Sequence, residues 1–185
     1  MKRVIASWAL GLCLLAAQEA AAVDVDVDAF LKLDGVPGEV TFTGYGGWID
    51  VRGYSIGHGA VSSTGAPGFR PLQVRKRVDK TSPVLAAAAA TGGRFKMAVL
   101  DVMRTASSGQ TYLGYRIVLH DVSLRSYAVG DVASQASLPV TYDGDVYQSA
   151  ETVELGYSKI EWYAYAAPGA TPVQMRFDLA KGTLY

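Results

Sequence analysis

Side-chain alternation constrains this chain more than any other feature. In "TYLGYRIVLHDVSLRSYAV", residues 111–129, Leu113, Tyr115, Ile117 and Leu119 fall on one side, with Arg116 and His120 on the other. Successive strand side chains point to opposite faces, so this run reads as a strand with one face in a core. The period recurs in "AFLKL", in "GGWIDVRGYSIG" (residues 46–57), in "PLQVRKRVD" and in "GRFKMAVLDVMR". "ETVELGYSKIEWYAYA" and "PVQMRFDLA" complete the set. Seven or so strands divided by Gly-rich breaks predict a mainly β fold, an antiparallel sheet closed into a barrel or stacked as a sandwich.

Two long gaps interrupt the strands, residues 57–69 and 130–150. Loops of this length in a compact domain are functional or mobile. The basic run Arg75-Lys76-Arg77 reads as the solvated face of its strand. Seventeen basic residues balance seventeen acidic ones, and only 18% of the 185 residues are charged. That neutrality argues against nucleic-acid binding, which needs a basic patch to meet phosphates.

"DKTSPVLAAAAATGG", residues 79–93, breaks the β pattern. Ser82 is expected to cap a helix, Pro83 sits where its missing N–H does no harm, and Gly92-Gly93 stop it. Alanines 86–90 have the best helix propensity, but roughly ten residues do not persist as a helix alone in water. No charge appears from Thr81 to Gly93, whereas a surface helix ordinarily carries Lys and Glu on its outer face. Either the helix plugs the end of a barrel, or one side also meets another subunit.

The first residues have a different grammar. Lys2 and Arg3 precede an apolar run, residues 4–17, which ends in Ala20-Ala21-Ala22. Residues 1–22 are therefore expected to be a secretory signal peptide, cleaved before Val23, with residues 23–185 as a single domain. The mature chain would lie in the periplasm or outside the cell, with no membrane association. Leu12 before Cys13 does not fit a lipidation site, and without Cys13 the mature chain has no disulfide or thiolate metal site.

Catalytic constellations are missing from the pattern. His58 stands between glycines, and His120 and Asp121 are strand neighbours whose side chains diverge. Asp24, Asp26 and Asp28 lack the glycine and distal glutamate of a calcium loop, and "GAPGF" lacks the Lys of a phosphate loop. No enzymatic activity, cofactor or metal is expected.

Five segments, in order, carry a resemblance: "VDAFLKLDGVPGE", "WIDVRGYSIG", "VRKRVDKTSPVLAAAAATG", "YRIVLHDVSLRSY" and "ETVELGYSKIEWYAY". Together they cover roughly residues 27–166, and the chain resembles the Hcp proteins, tube subunits of type VI secretion. The most specific pieces are Asp79-Lys80-Thr81-Ser82-Pro83 with Leu85, and residues 157–162. The resemblance implies a two-sheet antiparallel β-barrel with one short α-helix. It also implies a homo-hexameric ring, stacking into a tube that meets a VgrG-type spike and carries small effector proteins. Ala87, Ala89, His58 and Phe69 are the further residues expected on assembly surfaces, the last two bounding a loop that reaches toward a neighbour. Family members act from the cytoplasm before secretion, so the export signal departs from the pattern.

Overall fold

Alternation turns into strands almost wherever it occurs. The computed structural model describes residues 28–59, 68–130 and 150–185. The expected signal peptide over residues 1–22 lies outside the described residues, as do 60–67 and 131–149 of the two long gaps. In chain order the elements are β1 (Ala29–Leu33), β2 (Ile49–Val51), β3 (Gly53–Ser55), β4 (His58–Gly59), β5 (Gly68–Phe69) and β6 (Leu72–Arg77). After them come α1 (Ser82–Thr91), β7 (Arg94–Thr105), β8 (Thr111–Gly130), β9 (Ala150–Gly156), β10 (Lys159–Ala164), β11 (Val173–Asp178) and β12 (Thr183–Leu184).

Among the described residues every strand pairing is antiparallel, and the pairings make a circuit. Ten strands form one hydrogen-bonded sheet with two paths: one runs β12-β11-β10-β8-β7-β1-β2, and the other joins β3 to β6, β6 to β9 and β9 to β8, while β4 and β5 pair apart from it. The strand β8 belongs to both. Its first half lies between β7 and β10, and its second half pairs with β9. Between β2 and β3 the chain passes through Arg52, whose N–H donates to the carbonyl of Arg75, 2.9 Å away. The order β7-β8-β9-β6-β3, then β2-β1-β7, thus returns to its start as an antiparallel barrel. Closure leaves the inward residues one shared core. Leu31, Ile49, Leu72, Leu100, Ile117 and Leu155 lie in it, all buried. Irregularities between Val102 and Met103, and between Leu124 and Ser126, bend the two longest strands, as bulges do.

Three expectations are corrected. Residues 46–57 form two short strands instead of one, because the chain leaves β1 at Arg52 and takes up β6. The gap at 57–69 is not loop throughout: β4 and β5 pair, His58 opposite Phe69, at the base of a hairpin. And Lys76 is not solvated. It alternates with Leu72 and Val74 on the buried side of β6.

A second layer covers part of the barrel's outer side. The segment between β1 and β2 folds back so that Tyr45 stacks on Phe30 (4.5 Å between ring centres) and meets Trp48 edge-on. The Tyr45 hydroxyl donates to Asp101 Oδ2 at 3.0 Å. Asp101 is buried and is held by Arg116 through Nε and a terminal nitrogen, both at 2.6 Å, a charge-assisted fork.

Burial, and then the Asp101 carboxylate, push the Tyr45 hydroxyl up to about 12. Burial also raises Tyr127 and Tyr157 to about 12, with Glu151 adding to the effect on Tyr127. In the unfolded chain these hydroxyls ionise near 10. The folded state therefore keeps protons that the unfolded state gives up. The stability they contribute is complete below about pH 10 and is lost as pH rises toward 12. Urea midpoints measured from pH 8 to 12 should fall across that window, and the tyrosinate absorbance of folded protein should rise late.

Candidate assembly surface

Two groups of sequence-nominated residues are each brought together, in different places. The first is built on α1. The helix N-cap is Thr81, in right-handed backbone conformation and with no side-chain cap bond, so Ser82 is the first helical residue and not the cap. The reason lies in a competing set of bonds. The Asp79 carboxylate accepts from the Thr81 N–H at 2.7 Å and the Thr81 hydroxyl at 2.5 Å. The Ser82 hydroxyl turns back to accept the Asp79 N–H at 2.9 Å. Asp and Ser side chains compete for backbone groups in this way at turns. Lys80 is exposed, and its N–H donates to Glu39 at 3.2 Å.

Beneath that turn lies a buried charge pair. Lys76 and Glu151 stand directly opposite each other on β6 and β9, and neither side chain has any exposed surface. Lys76 Nζ lies 2.5 Å from Glu151 Oε1, 2.8 Å from Asp79 Oδ1, 2.8 Å from the Arg77 carbonyl and 3.4 Å from Ser82 Oγ. The second Glu151 oxygen accepts the Tyr127 hydroxyl at 2.8 Å. Asp79 is half-buried; its burial opposes ionisation, but the bonds from Lys76 and Thr81 outweigh that and hold its carboxyl below the usual range. Sequence reasoning missed Lys76, Glu151 and Tyr127. Parity was the available signal, since Lys76 shares the inward side of its strand with Leu72 and Val74, and Glu151 with Val153 and Leu155.

Leu85 drives the inner face of α1 into the core, and Ala88 and Ala89 pack beside it. The outer face is Pro83, Val84, Ala87, Ala90 and Thr91, all exposed, with Val84 at 49%. The first turn carries no acid and the last no base. Pro83 and Ala87 thus face outward, while Leu85 is an anchor and Ala89 is half-buried. At the far end, Gly92 takes the left-handed conformation (φ 69°), which ends the helix. Gly93 follows so close to the last turn that an added Cβ would lie 2.6 Å from that of Ala88. Gly93→Ala should therefore cost about 1–3 kcal/mol as an overpacked contact, read as a lowered urea midpoint.

His58 and Phe69 form the second group. Their rings lie 5.4 Å apart at the hairpin base, and Phe69 packs on Phe177 (4.9 Å) and Trp162 (6.0 Å). The hairpin is thereby seated on β10 and β11, whereas α1 lies against β8. His120 Nε2 lies 2.8 Å from Glu161 Oε1 on the neighbouring strand β10. Among the described residues no cluster of three metal-ligating side chains occurs.

The comparison with known families decides what this architecture is. A family profile described as "Type VI secretion system effector, Hcp" matches residues 30–163. The chain belongs to the Hcp family. Solved Hcp structures share its fold. Hcp1 from Salmonella typhimurium is 21% identical, with 86% of this chain and 99% of that one covered at a TM-score of 0.69. The secreted protein Hcp3 from Pseudomonas aeruginosa is 20% identical, covering 82% and 97% at 0.61. A type VI secretion system effector from Yersinia pestis is 14% identical, covering 82% and 99% at 0.63. No curated protein matches the chain. The Hcp barrel expected from five sequence segments is thus the fold found, and the segment from Asp79 to Leu85 is where its helix joins its barrel.

Proposed function

We infer that this Hcp protein is a non-enzymatic tube subunit of type VI secretion that assembles into hexameric rings. The rings stack, the tube meets a VgrG-type spike, and its lumen carries small effector proteins. The observation that carries the reading is the outer face of α1, exposed and free of charge over its whole length. A water-facing helix has no reason to avoid Lys and Glu on that side. A ring needs a head-to-tail contact between two different faces of the same molecule, and small side chains let backbones approach there. The β4–β5 pair seated on β10 and β11 supplies a second surface for such contacts. Electron microscopy of the purified protein in negative stain should show annular particles with a central hole. Fields of small solid particles would contradict the reading.

The opening residues favour a second reading, in which the protein is exported by the general route and acts in the periplasm or outside the cell without a sheath-driven tube. Lys2, Arg3 and the Ala20-Ala21-Ala22 site are its support. N-terminal sequencing of protein recovered from fractionated cells separates the two. A start at Val23 supports general export, and a start at Met1 opposes it.

A further inference from the structure

We propose that the buried Lys76–Glu151 pair positions α1 for assembly, fixing the angle of the helix on the barrel so that its uncharged face meets the next copy. The inference rests on the ring reading and adds a device to it. Hydrophobic attachment of α1 is sparse, with Leu85 its one fully buried apolar side chain and Ala88 and Ala89 packed only in part. A short helix held at one apolar point can pivot about it.

Its two ends are fixed by polar bonds. At the far end the Gly93 N–H bonds the Ala88 carbonyl, and the Gly93 carbonyl accepts the Leu124 N–H at 3.2 Å. At the near end, Lys76 gathers Glu151 from β9, Asp79 from the turn and Ser82 from the helix around one nitrogen. Tyr127 ties the same cluster to β8. Three strands and the helix start thus share a single charged junction.

Stability does not account for it. Exchanging a buried ion pair for apolar groups of like volume is often neutral or favourable. Directional bonds differ from apolar packing in fixing orientation, which an interface between rigid copies requires. Lys76 and Glu151 touch no neighbour themselves; they act through α1.

The test is the double variant Lys76→Met/Glu151→Gln, which removes both charges of the pair, keeps the volume, leaves an acceptor for Tyr127 and leaves the partly exposed Asp79 carboxylate its two bonds from Thr81. Its thermal unfolding should stay within a few degrees of wild type. The concentration for half-assembly, read by sedimentation velocity, should rise at least about tenfold. Amide hydrogen exchange should quicken in residues 82–91 and stay unchanged in β7 and β8. Tyr127→Phe, which deletes one bond of the junction, should show a smaller change of the same kind. Assembly of the double variant at the wild-type concentration overturns the proposal, and so does its failure to fold, which would make the pair a stability element. A wild type that never assembles overturns the ring reading instead. The positioning role is then judged by exchange alone: faster α1 exchange in the double variant sustains it, and unchanged exchange overturns it.

Discussion

Ala87→Glu is expected to turn an assembled ring into a folded monomer. Ala87 is exposed near the middle of α1, with Val84 and Ala90 on the same uncharged face. In a monomer the introduced carboxylate points into water, and a solvent-exposed change in a helix shifts stability by only about 0.5 kcal/mol. Against a neighbouring copy the same carboxylate would be stripped of water with no cation on α1 to receive it. That costs about 3 kcal/mol or more at each contact. The penalty repeats around a ring, so even a tight assembly should fall apart at micromolar concentration. Ala89→Glu is the informative companion. Ala89 packs against the core, so that variant should lose about 1–3 kcal/mol of monomer stability by overpacking. Light scattering together with urea unfolding checks both. Rings that survive Ala87→Glu would show that this face meets solvent.

Lys76→Met alone should be the most destabilising substitution considered. It leaves the Glu151 carboxylate wholly buried, with the Tyr127 hydroxyl as its remaining hydrogen-bond partner among the described residues. Breaking a buried pair from one side costs about 3–5 kcal/mol, because the remaining charge has lost its compensation. A domain of this size has roughly 5–15 kcal/mol in all. The urea midpoint should therefore drop steeply, while the double variant, which removes the other charge as well, recovers most of it. Single and double variants with equal midpoints would contradict the pairing seen between β6 and β9.

The strands were legible because alternation depends only on neighbours along the chain. The run at 111–129 lies within one strand, β8, and "AFLKL" coincides with β1. The break at Arg52 was not legible, since alternation runs unbroken through it and only pairing with β6 shows where the chain changes partners. The helix was read from its alanines and its Gly92-Gly93 stop. Its start was misread because a Ser-Pro pair fits a cap, whereas Asp79 and Lys76 claim the serine for the turn. The role of Lys76 could not be read locally. Its partner lies 75 residues away in sequence and becomes a neighbour only through the β6–β9 register. The family motif was visible as letters; the contacts that gather Asp79 and Ser82 around Lys76 and Glu151 needed the fold.

Native mass spectrometry of the purified wild-type protein, across a range of concentrations, tests the central claim most directly. The account predicts a dominant hexameric species that dissociates on dilution into folded subunits. A single subunit mass at every concentration, in protein shown to be folded, would contradict it.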